Sequence, residues 1–187
     1  EAFVAMMNDK AAQLGMEDTH FVNTSGLHDR NHVTTLRDLE KLMRYALQNE
    51  TFVQIFQTRR YTATPSMHPE GLVWESTLFS RISSGEVDND TILGGKTGYT
   101  SGAGRCLVFS AERNVMRLVG CVLNCPTWYD TAQAMLDYGF EHYSMQEVSR
   151  AGDSMGQVAV TGGQKRSAPV QTAEGLRVPV GMGEKVV

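Results

Sequence analysis

Apolar positions recur at helical spacing from the first residues. Phe3, Met7, Ala11 and Leu14 share one face of a helix over residues 1–14, and Gly15 supplies its C-terminal stop. The pattern opens directly at Glu1 with no cap and no lead-in, as expected of a chain whose N-terminal part lies elsewhere. The turn formers Asn23, Gly26, Asp29 and Asn31 make 19–33 a loop. A second helix is predicted over 36–48, opened by a capping box of Thr35 and Asp38, with Leu36, Leu39, Met43 and Leu47 as its buried stripe. Phe52, Ile55 and Phe56 extend the packing into a short helical turn, and 60–64 reads as a short strand closed by Pro65. The stretch 66–89 mixes Trp74 and Leu78 with the turn-rich run 83–90 and reads as an exposed connection.

From Thr91 the period changes to two. Residues 91–93 lead through Gly94 and Gly95 into Lys96, Thr97 and Gly98. Two further strands are predicted at 105–111 and 115–123, and the polar turn Glu112, Arg113, Asn114 makes them antiparallel neighbours. Pro126 and Thr127 open a third amphipathic helix with Tyr129, Ala132, Leu136, Phe140 and Tyr143 along one face. Beyond Met145 the residues Gly, Val, Ser and Gln dominate, with short alternating pieces at 157–160 and 176–180. The expected fold class is α/β (α+β), with helices packed on an antiparallel sheet over 1–145 and a small β-rich module over 146–187.

Composition narrows this picture by exclusion. The 187 residues are 41% apolar and 20% charged, which suits a globular protein with room for a core. A net charge of -4 with scattered Lys and Arg gives no basic face, so no nucleic-acid partner is expected. No apolar run approaches the roughly 20 residues that span a bilayer. Cys106, Cys121 and Cys125 are too few for a disulfide framework and read as small buried thiols on strands; four zinc ligands at workable spacing cannot be assembled. His28 and His32 lie four apart but in a loop, and Asp88 and Asp90 sit in a polar turn, so neither pair reads as a metal or acid–base site. No cofactor is called for. Met6, Met7, Met43 and Met135 read as core filler and Trp74 and Trp128 as hydrophobic anchors. Arg105 either pairs with a nearby acid or faces a groove.

The candidate chemistry lies in Gly94-Gly95-Lys96-Thr97-Gly98-Tyr99-Thr100. Lys-Thr-Gly would occur by chance in about 4% of chains this long, but here it opens an antiparallel strand set straight after paired glycines. A strand edge offers backbone N–H and C=O groups to an extended peptide. Lys96 supplies a positive charge for a substrate carboxylate, or for proton traffic around a serine. Thr97 offers a hydroxyl to the same carboxylate. Gly98 lets a ligand approach the backbone closely. The Tyr99 N–H could point at a developing oxyanion.

Lys-Thr-Gly, with Ser-x-x-Lys and Ser-Asp-Asn, is a signature of penicillin-binding proteins and class A β-lactamases. Further stretches resemble the D-alanyl-D-alanine carboxypeptidase branch: Leu14-Gly15-Met16, Thr19-His20-Phe21, Ser25-Gly26-Leu27, Asp38-Leu39, Ala103-Gly104-Arg105-Cys106-Leu107-Val108 and Tyr138-Gly139-Phe140. The resemblance covers roughly residues 1–145, as the C-terminal part of a transpeptidase-like domain, and the tail resembles the start of a β-rich C-terminal domain. It implies a serine β-lactamase or penicillin-binding-protein architecture acting on peptidoglycan stem peptides ending in D-Ala-D-Ala, through an acyl-enzyme that β-lactam antibiotics imitate. By that resemblance Lys96 is catalytic, and Thr97, Gly98, Tyr99 and Thr100 bind substrate, in an extracytoplasmic, membrane-associated protein.

One departure matters. No Ser-x-x-Lys occurs; Ser80-Arg81-Ile82-Ser83 lacks the lysine. In family order the nucleophile motif and the Ser-x-Asn motif precede Glu1, together with the first two of five sheet strands. The chain is therefore expected to pair with a complementary N-terminal part or to swap elements in a homodimer. The competing reading is a non-catalytic peptidoglycan-binding or scaffold module; a β-lactamase is disfavoured by the appended β-rich tail.

Overall fold

Helix ends are set by local capping. The computed structural model describes residues 1–84 and 90–185. Helix α1 (Ala2–Gln13) stops where Gly15 adopts φ 67°, and the amides of Gly15 and Met16 return to the carbonyls of Ala12 and Ala11. Helix α2 (Leu36–Ala46) starts at Thr35, whose hydroxyl accepts the Asp38 amide at 3.2 Å. Only that half of the expected capping box forms. The Asp38 carboxylate turns instead to the Asp18 amide (3.0 Å), the Thr19 hydroxyl (2.8 Å) and Lys41 (3.2 Å), with its side chain only 2% exposed. It thereby staples the loop after α1 onto α2. Leu36, expected in the buried stripe, is half exposed, while Met43 is buried.

Helix α3 (Glu50–Phe56) is capped by Asn49, whose side-chain oxygen accepts the Phe52 amide, and stacks Phe52 on Phe56 at 5.2 Å. Strands β1 (Arg60–Ala63) and β2 (Leu72–Glu75) pair antiparallel, and α4 (Thr77–Ser83) follows. This corrects the expectation of an exposed connection over 66–89. Within it Leu78 and Phe79 are among the most buried side chains of the chain. In α4 the two buried residues are adjacent and set among turn formers, so they show no helical spacing of the kind Phe52, Ile55 and Phe56 show in α3. Asp88 of the expected carboxylate pair lies outside the described residues.

Strands β3 (Ile92–Thr100), β4 (Gly104–Arg113) and β5 (Met116–Val122) form an antiparallel sheet in the order β3-β4-β5, as the period-two pattern predicts. The β4–β5 turn sits slightly later than expected, with Arg113 opposite Met116 and Asn114 and Val115 both at positive φ. Two residues at positive φ match the twist of the strands. A β-branched side chain there is sterically strained. Leu107, Phe109 and Ala111 of β4 are fully buried, and the Phe109 ring lies over Gly120, where a β-carbon would come within 2.1 Å of it. Helix α5 (Trp128–His142) buries Trp128, Ala132 and Leu136; Tyr143, expected on its face, opens the next strand. Met6 and Met135 are exposed rather than filling the core, and Trp74 is half exposed beside Tyr61.

The chain divides into two compact units, Glu1–Asp137 and a second beginning at Tyr138. In the second, β6 (Tyr143–Ser149) pairs antiparallel with β9 (Leu176–Gly181), and β7 (Ser154–Ala159) with β8 (Ser167–Gln171). The whole is α+β, with antiparallel sheets throughout.

Candidate functional site

Among the described residues strand β3 is an edge of its sheet, with one side of its backbone not paired with another strand. Successive side chains point to opposite faces. A β-carbon at Gly94 would lie 2.6 Å from the Phe56 ring and carbonyl oxygen of α3; one at Gly95 would lie 2.3 Å from Leu78 of α4. The paired glycines let two helices close on the two faces of β3 at its start. Beyond them the strand emerges: Lys96, Gly98 and Tyr99 are exposed, Tyr99 by 73%.

Gly98 differs from that pair. Among the described residues a β-carbon there would meet only Cys106 Cβ, at 3.8 Å, which is ordinary contact. Packing among the described residues explains Gly94 and Gly95 and leaves Gly98 unexplained. A glycine with room for a side chain on an open strand edge fits close approach from outside.

The residues singled out in the sequence are brought together on this one strand. The Lys96 ammonium donates to the Thr97 carbonyl at 2.6 Å, and no carboxylate among the described residues lies within ion-pair reach of it. Thr97 Oγ1 is 2.6 Å from Thr77 Oγ1, so the first residue of α4 fixes the hydroxyl of the motif. Thr77 was missed in the sequence. Its signal was the Ser76-Thr77 pair just before Leu78-Phe79, a helix-start pattern inside a stretch read as connection. Thr100 Oγ1 accepts the Ala103 amide at 3.0 Å and closes the β3–β4 turn. Among the described residues the arrangement offers a cation without a carboxylate partner, a placed hydroxyl and an unpaired backbone edge, groups of the kind that suit an extended peptide ending in a carboxylate.

Of the residues left open, Arg105 lies 5.9 Å from the Trp128 ring as a cation–π partner. His32 accepts the Val22 amide and meets Phe21 edge-on, while His28 packs its ring onto Gly102. Among the described residues no cluster of three or more His, Cys, Asp or Glu could hold a metal ion. All three cysteines are free and half-buried. Cys106 and Cys121 stand on strands; Cys125, contrary to expectation, precedes α5. Burial, with the Glu40 charge, pushes the Cys121 thiol up to about 11. Hydrogen bonds from Thr131 and Thr127 hold Cys125 below the usual thiol range.

The model of the peptidase S11 family, D-alanyl-D-alanine carboxypeptidase, matches residues 1–127. The chain is 27% identical to the D-alanyl-D-alanine carboxypeptidase DacF of Bacillus subtilis, over 98% of this chain and 46% of that protein. It superposes on penicillin binding protein 5 from Haemophilus influenzae with a TM-score of 0.73 at 24% identity, covering 97% of this chain and 51% of that one. On the Streptomyces K15 DD-transpeptidase it does so with a TM-score of 0.64 at 31% identity, covering 74% and 54%. The chain spans about half the length of the curated relatives it matches.

Proposed function

The chain belongs to the peptidase S11 family of D-alanyl-D-alanine carboxypeptidases, and on that footing we propose that its β3 edge is the recognition strand of a serine-type hydrolase acting on peptidoglycan stem peptides, in a site completed by residues outside these 187. The substrate's C-terminal D-Ala-D-Ala lies along β3. Its carboxylate meets the Lys96 ammonium and the Thr97 hydroxyl, a charge-assisted pair in a fixed place. Gly98 lets the peptide backbone come close. The Tyr99 N–H donates to the oxygen of the scissile carbonyl as it gains charge. A serine supplied from outside this chain attacks that carbonyl, the C–N bond breaks, and D-Ala leaves with a proton. Water then cleaves the ester and regenerates the hydroxyl. Lys96 adds positive potential and a donor to the proton network around that serine. A β-lactam presents the same carboxylate and a strained amide, and acylates the same serine.

The observation that carries this reading is Gly98: nothing among the described residues needs a glycine there, and a peptide lying along β3 would. The partner is then either a complementary N-terminal part or a second copy that swaps elements. The compartment is extracytoplasmic, where peptidoglycan lies. Membrane association of the full-length protein is part of the same proposal; no helix among the described residues is long and apolar enough to cross a membrane.

Fluorescent penicillin tests the proposal. The full-length protein should take the label and release D-Ala from a D-Ala-D-Ala peptide, and Lys96→Ala should cut both by at least about tenfold. A covalently labelled band from the isolated 187-residue chain would show that the nucleophile has been misassigned. Tight peptide binding by the full-length protein with neither label nor D-Ala release would favour a non-catalytic recognition module.

A further inference from the structure

We infer that His28 is a positioning residue that seats the 23–31 loop on the β3–β4 turn, making the loop the wall that recognises the stem residue preceding D-Ala-D-Ala. This rests on the proposed direction of the peptide along β3. If the carboxylate is held at Lys96 and Thr97 and the scissile carbonyl sits at the Tyr99 amide, the rest of the peptide runs on past Thr100 toward the turn.

The loop stands at that turn. Three ring atoms of His28, Cε1, Nδ1 and Nε2, would lie 2.4, 2.6 and 2.9 Å from a β-carbon on Gly102. The imidazole therefore lies flat against the glycine, in space that any side chain would fill. The loop is braced from within. Asn23 Oδ1 accepts the amides of Ser25 (3.2 Å) and Gly26 (2.8 Å), and Asn23 Nδ2 donates to the Leu27 carbonyl (2.9 Å). Its base is closed by the paired backbone bonds between His20 and Val33. On this braced loop Leu27 is 70% exposed beside the seated ring. An aliphatic side chain held out from an ordered loop is suited to the aliphatic part of a stem residue, and the flat contact of His28 sets its distance from β3.

The test is substrate discrimination by the full-length protein. One substrate is a tripeptide, diacetyl-L-Lys-D-Ala-D-Ala; the other is acetyl-D-Ala-D-Ala, which lacks the preceding side chain. In His28→Ala and Gly102→Ala, kcat/KM for the tripeptide should fall about tenfold, the scale of one apolar contact, while the dipeptide changes less than twofold. His28→Phe, which keeps a flat ring, should restore most of the tripeptide rate. Equal losses on both substrates, or no loss on either, would overturn the inference, as would failure of the ring to rescue. A wild-type protein that takes no penicillin and cleaves neither substrate would instead overturn the underlying function, and this inference with it.

Discussion

At the scale of single residues, the strand glycines divide by what surrounds them. Gly95 is required by the fold: an added methyl would face Leu78 Cδ2 at 2.3 Å, the Val108 carbonyl at 3.1 Å and Phe109 Cβ at 3.3 Å. Leu78 can yield, but the backbone oxygen and the Phe109 stem cannot both do so. Gly95→Ala is therefore expected to destabilise the full-length protein by about 1–3 kcal/mol, as overpacked cores do, measured by denaturant unfolding. Gly98 has no such neighbours among the described residues, and under the proposed function its requirement comes from the ligand. The sequence places all three glycines in one run and sets Gly98 apart as a point of close approach, with no packing reason visible for the other two. Their surroundings supply the physical difference: Gly94 and Gly95 admit helices, and Gly98 meets just Cys106 Cβ among the described residues.

At the scale of elements, the staple between α2 and the preceding loop carries a titration. Burial would raise the Asp38 carboxyl, but hydrogen bonds from Thr19, Lys41 and the Asp18 amide together hold it below the ordinary aspartate range. A carboxyl depressed in the folded state contributes stability above its unfolded pKa and loses it as pH falls through the folded value. The gap in melting temperature between wild type and Asp38→Asn is therefore expected to narrow as the pH is lowered from about 7 to about 3; a constant gap would exclude the linkage. The elements legible in the sequence were the long periodic ones, α1, α2, α5 and the strands β3 to β5, together with the short pieces that became α3, β1 and β9. Helix α4 was not, because seven residues hold two buried positions, Leu78 and Phe79, and no repeat. The partnering of β6 with β9 was not legible either, since residues some 30 apart must find each other and alternation names no partner. Thr77 was lost with α4, which is why the hydroxyl pair at the site had to wait for the structure.

At the scale of the molecule, the first unit leaves apolar surface uncovered. Phe3 and Met6 are exposed beside Met7, Met16, Phe21 and Leu42, which together line an apolar groove along α1. The sheet has two edge strands, β3 and β5. If β3 is kept for substrate, the β5 edge and the α1 groove are the surfaces left for a completing part. The isolated 187-residue chain is expected to run as a dimer or larger species in light scattering, and to become a defined one-to-one complex when the complementary N-terminal part is added. A folded, monodisperse monomer that ignores that part would argue against completion from outside.

If the open edge at Lys96–Tyr99 receives a peptide-like ligand, as proposed, substitution of Gly98 should affect the ligand and leave the fold intact. The measurement is the second-order rate constant for penicillin acylation of full-length Gly98→Ala, with the melting temperature taken on the same sample. The expected result is an unchanged melting temperature and acylation slowed by about tenfold or more, because the methyl obstructs the ligand and nothing else. Acylation at the wild-type rate, or a loss of rate matched by a loss of stability, would contradict it.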